Sequence, residues 1–276
     1  MKHAEFRFKT FDRLQLFGQS WQPEDRPRAV ICLVHGMGEH SGRYGHVVDR
    51  LTQAGYSVFA FDLRGHGKSE GPRGHTPSYE ALMKDISSLL EVVNKQFPQL
   101  SSFLYGHSLG GNLVLNYVLR YKPQLKGVIV TDPWLCLAFE PSASKIILGK
   151  IANKIYPSFS QSSGLDTKAL SRDPEVVHAY ENDPLVHDHI SARMFIGIYQ
   201  SGQWALEHAL EFPLPLLLMH GRADKITSVN ASSEFAGKIT ENCNLKIWGG
   251  LYHEIHNEPE KEEVFKFLID WLDKKV

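Results

Sequence analysis

Phe103-Leu104-Tyr105-Gly106-His107-Ser108-Leu109-Gly110-Gly111-Asn112-Leu113-Val114 is the stretch that decides the fold. An apolar run, Phe103-Leu104-Tyr105, enters a Gly-x-Ser-x-Gly turn, and a helical pattern from Leu109 through Tyr121 leaves it. Strand, sharp turn, helix is the context in which this pattern forms a nucleophile elbow. The turn strains the backbone at Ser108 and lifts its Oγ out of the sheet. Glycines flank it because a Cβ there would collide with the neighbouring strand or helix. The pattern alone is weak: at roughly 7% each for Gly and Ser, about one chain in ten of this length carries it by chance. Its weight comes from the strand before it, the helix after it and the partners found elsewhere.

Working outward, Ala29-Val30-Ile31-Cys32-Leu33-Val34 is a continuous apolar run, as expected of a parallel strand buried on both faces. Ser57 to Phe61 and Lys126 to Thr131 read the same way, and helical patterns from about Val47 to Ala54 and from Tyr79 to Gln96 lie between. Phe6 and Phe8, then Leu14, Leu16 and Trp21, alternate around Phe11-Asp12-Arg13, an antiparallel hairpin. The alternation predicts an α/β protein with a mostly parallel, doubly wound sheet and right-handed crossovers. It breaks after Asp132; to about Leu210 there are helical patterns and no convincing strand. Strand-helix order resumes with Pro215 to Met219, Val229 to Lys238, Asn244 to Trp248 and Glu260 to Lys274. The predicted organisation is a core of residues 1–132 and 211–276, interrupted by a helical insertion of residues 133–210 that caps a site.

The 276 residues, 42% hydrophobic, are enough for one sizeable core. With 30 basic against 31 acidic residues and no long Lys/Arg block, the chain lacks the footprint of a nucleic-acid binder. No apolar run is long enough to span a bilayer, and Met1-Lys2-His3-Ala4-Glu5-Phe6-Arg7 lacks the apolar core of a secretory signal. Cys32, Cys136 and Cys243, odd in number and widely spaced, read as free thiols in a reducing compartment. A cytoplasmic location is therefore expected.

A serine hydroxyl is a poor nucleophile until a histidine base activates it, and that histidine needs an oriented carboxylate. After an elbow of this kind the chain order is Ser, Asp or Glu, then His. Asp224, in His220-Gly221-Arg222-Ala223-Asp224, follows a strand and lies where open α/β sheets place their sites. Asp132, which also follows a strand, is the rival acid. Beyond Asp224 only His253 and His256 remain, both after the strand ending at Trp248. His253 is taken as the base, with His256 as its rival. An oxyanion needs preorganised backbone donors. One is Leu109 N–H, at a helix start; the other is Met37 N–H, in His35-Gly36-Met37-Gly38. Asp62 and Arg64, in Asp62-Leu63-Arg64-Gly65-His66-Gly67-Lys68-Ser69, read as groups that hydrogen-bond their own loop. His35, His66 and His107 read as packing or hydrogen-bonding residues. No His, Cys or carboxylate cluster has zinc-ligand spacing, so no metal is expected.

His35-Gly36-Met37-Gly38-Glu39-His40-Ser41-Gly42-Arg43-Tyr44, together with the elbow, resembles the monoacylglycerol lipase family of α/β-hydrolase-fold serine hydrolases. The likeness extends to the Asp62 loop, to Tyr180-Glu181-Asn182-Asp183-Pro184-Leu185 and to Tyr252-His253-Glu254-Ile255-His256. The resemblance implies cofactor-free hydrolysis of monoacylglycerol to glycerol and fatty acid. It carries Ser108, Asp224 and His253 onto the triad and the main chains of Met37 and Leu109 onto the oxyanion hole. It also implies a polar pocket for the glycerol end near Glu39, Arg43, Tyr180 and His256. A lysophospholipase or broad carboxylesterase is the alternative. A catalytically silent binding protein of the same fold is the more distant one.

In the insertion, Ser144 to Tyr156 is amphipathic. Ile147, Leu148, Ile151, Ala152 and Ile155 share a face, Lys150, Asn153 and Lys154 lie opposite, Lys145 is at the boundary and Ile146 projects on the polar side. The same pattern suits a helix lying on a membrane surface and a cap helix packed on the core. The sequence leaves both open.

Overall fold

In the computed structural model, which describes residues 1–139 and 141–276, the chain opens with an antiparallel hairpin, β1 (Lys2–Lys9) and β2 (Gln15–Gln22). Alternating elements follow: β3 (Val30–Val34), α1 (Gly45–Gln53), β4 (Ser57–Phe61), α2 (Tyr79–Gln96), β5 (Ser102–His107), α3 (Leu109–Tyr121) and β6 (Gly127–Thr131). After the insertion come β9 (Leu216–Gly221), α7 (Val229–Lys238), β10 (Cys243–Trp248) and α8 (Lys261–Asp273). The sheet runs β1-β2-β4-β3-β5-β6-β9-β10, parallel from β4 to β10 and antiparallel across the first two pairings. Strand periodicity divides the core in two. Val30, Cys32 and Val34 pack with α2 and α3 on one face, while Ile31 and Leu33 pack with α1 and α8 on the other. This is the doubly wound α/β-hydrolase fold.

The elbow is where the sheet positions chemistry. Ser108 sits at φ 52°, ψ −114°, a strained conformation for a residue with a side chain. It is held because strand and helix meet at backbone contact. A Cβ at Gly106 would lie 2.3 Å from the Gly110 carbonyl oxygen, and one at Gly110 would lie 2.0 Å from that of Val34. Asp62 accepts from the Ser41 N–H (2.8 Å), the Ser41 hydroxyl (2.6 Å) and the Lys68 N–H (2.8 Å), tying its loop to the segment after β3. Arg64 departs from expectation. It reaches out of its loop to Asp85 on α2 (2.6 Å) and Asp12 in the hairpin turn (2.9 Å).

The insertion is less uniform than its sequence suggests. It holds α4 (Ala143–Ile155), β7 (Ser160–Ser162), α5 (Pro174–Glu181), β8 (His189–Ser191) and α6 (Ala192–Glu207). The two short strands pair antiparallel. At three residues each, with Ser160-Gln161-Ser162 all exposed, they carry no alternation that could announce them. α6 buries Met194, Ile198, Ala205 and Leu206 in the core cluster and packs on α2 and α3, so this helix belongs to the flank of the sheet. α4 packs on α6 but buries no residue fully. Ile147, Leu148, Ile151 and Ile155 are 57%, 64%, 48% and 77% exposed. Their face points to solvent, which removes the core-packed alternative, and Ile146, on the other side, is half-buried. Among the described residues no helix is long and apolar enough to cross a membrane.

Gly110→Ala should destabilise the fold by roughly 1–3 kcal/mol or more, because the new methyl cannot clear the Val34 carbonyl. Gly237→Ala, on α7 with open space at its Cβ position, should be neutral or stabilising. Thermal unfolding of the two variants checks this; equal melting temperatures would contradict the close-approach argument.

Candidate active site

Two loops at the carboxyl ends of parallel strands converge on Ser108. The loop after β9 carries Asp224 and the loop after β10 carries His253. His253 Nε2 lies 2.9 Å from Ser108 Oγ, and His253 Nδ1 lies 2.8 Å from Asp224 Oδ2. All three side chains are buried. Asp224 is fixed by its own turn: Oδ1 accepts the Ile226 N–H (2.7 Å) and the Thr227 N–H (3.1 Å), and Oδ2 accepts the Thr227 hydroxyl (2.7 Å). Burial alone would raise its pKa, but His253 and His220 beside it hold it far below the usual carboxylate range. For His253, burial opposes the charged form, yet the charge and hydrogen bond of Asp224 outweigh it and raise the pKa above the ordinary imidazole value. The pair thus favours a proton on the imidazole, as a base requires.

The rivals fall elsewhere. Asp132 Oδ1 accepts the Gly221 N–H at 2.8 Å, and burial together with the nearby Asp224 charge pushes its pKa well up. Asp132, His220 and Asp224 place candidate ligand atoms within 4.8 Å of one another, a metal-like grouping that the linear spacing concealed. Asp224 is committed to His253 and its own turn, and His220 Nδ1 lies 2.8 Å from Ser232 Oγ. His256 stacks on Tyr44 with ring centres 5.1 Å apart and lies 4.7 Å from His107. Burial and the neighbouring His107 push its pKa well down.

A cavity of about 260 Å³ opens over Ser108 and His253. Trp134, Leu137, Phe139, Ile190, Phe195 and Ile226 give it an apolar wall, and Glu39, Tyr180 and Glu254 a polar part. Met37 borders it, and Leu109 opens α3, where N–H groups lack helical partners. Gly36 lets the Met37 loop approach, since a Cβ there would lie 3.3 Å from Ser108 Cβ and 2.8 Å from Glu39 Oε1. Of the four residues implied for a head-group pocket, Glu39 and Tyr180 line this cavity; Arg43 and His256 do not. Arg43 stands behind Glu39, bonded to it at 2.7 Å, with its guanidinium 4.6 Å from the Tyr180 ring centre.

Sequence reasoning passed over the groups that hold the Met37 and His253 loops from the insertion. The His187 N–H donates to the Gly38 carbonyl (2.9 Å), and His40 Nε2 lies 2.8 Å from Asp183 Oδ2. The Glu254 N–H donates to the Leu170 carbonyl (2.8 Å), the Ser171 hydroxyl to the Asn257 carbonyl (3.1 Å), and Arg172 Nε to the buried Glu258 carboxylate (2.5 Å). Asp183 and Glu254 lay within the segments quoted for the family likeness, the one signal that pointed to them.

Residues 25–260 match the sequence pattern of the family described as serine aminopeptidase, S33. The monoacylglycerol lipase of Mycolicibacterium smegmatis is 34% identical over 274 residues, 98% of this chain and 96% of that protein. The crystal structure of Paleococcus ferrophilus monoacylglycerol lipase superposes with a TM-score of 0.86 at 37% identity, covering all of both chains. An uncharacterized abhydrolase domain-containing protein of Dictyostelium discoideum is 39% identical over 270 residues, and the chain spans 28% of its length. The chain belongs to the serine aminopeptidase S33 family of α/β-fold hydrolases. Within it, the likeness to monoacylglycerol lipases runs through nearly the whole sequence.

The raised His253 pKa sets an expected pH dependence. Labelling of Ser108 by a fluorophosphonate should fall as pH drops through a midpoint above about 6.5, because protonation removes the base. Labelling rates across pH check the midpoint; a midpoint below the ordinary imidazole value would contradict the Asp224 effect.

Proposed function

We propose that this chain is a serine esterase that hydrolyses monoacylglycerol to glycerol and free fatty acid through an acyl-enzyme on Ser108. The observation that carries the reading is the hydrogen-bonded line from Ser108 through His253 to Asp224 beneath a cavity with an apolar wall and a polar part. Ser108 Oγ attacks the ester carbonyl while His253 takes its proton, and Asp224 keeps the imidazole in the required orientation and tautomer. The N–H groups of Met37 and Leu109 receive the oxyanion. His253 then hands its proton to the departing glycerol oxygen, and water repeats the sequence to release the fatty acid. The acyl chain takes the apolar wall. Glu39 and Tyr180 face the glycerol hydroxyls, Arg43 holds Glu39 in place, and His256 supports the floor from beneath. Residues 133–210 act as the cap, with α6 as its attachment to the core. The names of the Mycolicibacterium and Paleococcus relatives support the substrate class.

A lipid substrate must leave a membrane or micelle. The exposed Ile147, Leu148, Ile151 and Ile155 on α4, with Lys150 and Lys154 on the same helix, suit transient docking on a membrane surface. We read the protein as cytoplasmic and peripheral at such a surface.

Ser108→Ala should abolish ester hydrolysis without unfolding the protein, and Asp224→Asn should lower kcat by about 10⁴-fold, as loss of the correct tautomer does elsewhere. Asp132→Asn should cost far less. Steady-state kinetics with circular dichroism checks all three; full turnover in Ser108→Ala would sink the reading. For docking, Ile147→Ser with Ile151→Ser should weaken vesicle binding and slow hydrolysis of vesicle-borne long-chain ester, yet spare a soluble nitrophenyl ester. Unchanged vesicle sedimentation would contradict it.

A further inference from the structure

A base that protonates the leaving oxygen must sit against the leaving group, so the groups around His253 face whatever the ester releases. Glu254 follows His253 in the chain and lines the cavity. Its carboxylate accepts from Arg43 Nη1 (2.7 Å), Arg43 Nη2 (2.9 Å) and Asn257 Nδ2 (2.6 Å). Arg43 Nη1 also donates to Glu39 Oε2 at 2.7 Å, while Glu39 Oε1 accepts the Gly36 N–H (2.6 Å) and the Tyr44 hydroxyl (2.7 Å). Two carboxylates, each 2% exposed, therefore share one guanidinium.

That arrangement carries one uncompensated negative charge. Burial would raise the Glu254 pKa, but Arg43 outweighs it and holds the group well below the usual carboxylate range. Of the rings beside the pair, His253 is the one raised toward its charged form, and Asp224 is its counter-ion. Burial, then the neighbouring His253, takes His107 down to about 3, and His256 is lowered too. Burial likewise pushes the Tyr44 and Tyr180 hydroxyls up, so both stay neutral. The rest of the described lining adds Asp166 and Asp188 against Lys225, with His187, which burial takes down to about 4, and His189, whose Nε2 lies 3.9 Å from Asp188 Oδ1, while Asp224 stands behind His253. Arg43, the cation a phosphate would seek, stands behind Glu39 and donates to both carboxylates.

Resting on the esterase reading above, we infer that Glu39 and Glu254, bridged by Arg43, are specificity-determining residues that admit neutral polyol esters and reject esters whose leaving alcohol carries a phosphate anion. A glycerol hydroxyl can donate to carboxylate oxygens. An ionised phosphate oxygen can only accept, and the group brings one to two negative charges into a site of low dielectric, where repulsion is poorly screened. Among lipids with one acyl chain, the site takes monoacylglycerol and excludes lysophosphatidic acid and lysophosphatidylglycerol.

The test compares esters with the same acyl chain, 1-lauroylglycerol against 1-lauroyl lysophosphatidic acid, in micelles of neutral detergent at fixed ionic strength. Wild-type kcat/KM should favour the neutral ester at least 100-fold. Glu254→Gln, which keeps the shape and removes the charge, should narrow that ratio at least tenfold, and Glu39→Gln should act in the same direction. Comparable wild-type kcat/KM on the two esters overturns the inference even if neither variant folds. A ratio unchanged in both folded variants overturns it as well. If neither lauroyl ester nor a nitrophenyl ester is hydrolysed and Ser108 takes no fluorophosphonate, the esterase reading fails and the inference falls with it. Turnover of all the esters without discrimination sinks the charge argument alone.

Discussion

Everything in this site hangs on the backbone of Ser108 at φ 52°, ψ −114°. A side chain in that conformation is costly, of order 1–3 kcal/mol, and persists only where the surroundings leave no alternative. Here the constraint is contact between main chains. β5 and α3 meet with no room for a methyl group at Gly106 or Gly110, and β3 presses against the helix start through the Val34 carbonyl. The same closeness sets Ser108 Oγ in line with His253 and brings the Met37 loop, which continues β3, beside it. The strain and the geometry of the nucleophile have one cause.

The insertion does more than cover the cavity. It bonds to both loops beside Ser108: to the Met37 loop through His187 and Asp183, and to the His253 loop through Leu170, Ser171 and Arg172. Two loops that would be mobile if anchored only at one end are thereby held from above and below. Glu258, fully buried, has its countercharge on Arg172 from the insertion, so a displacement of that segment would leave a carboxylate unpaired beneath the His253 loop. The position of the insertion and the alignment of His253 are physically linked.

Much of this was legible in the sequence because it is local. Strand, turn and helix around Ser108 are contiguous, and apolar runs such as Val30 to Val34 announce buried parallel strands without reference to anything distant. The order Ser, Asp, His named side chains that the fold brings into line. What escaped is non-local or ambiguous. Arg172 and Glu258 are 86 residues apart and His40 and Asp183 are 143 apart, and no spacing rule joins them. The apolar face of α4 reads identically whether it meets a core or solvent, and only the packing of the other side on α6 decides. His253 and His256 differ by three residues, yet the short 3₁₀ turn at Ile255–Asn257 buries His256 against Tyr44 while His253 borders the cavity.

The account stands on a covalent intermediate at the elbow. Rapid acid quenching during turnover of a monoacylglycerol, followed by mass spectrometry of the peptide that contains Ser108, reads it directly. The expected result is an acyl adduct on Ser108 that forms within the first turnover and is absent from Ser108→Ala. An adduct on any other residue, or continued hydrolysis by a protein that cannot be acylated at Ser108, would contradict it.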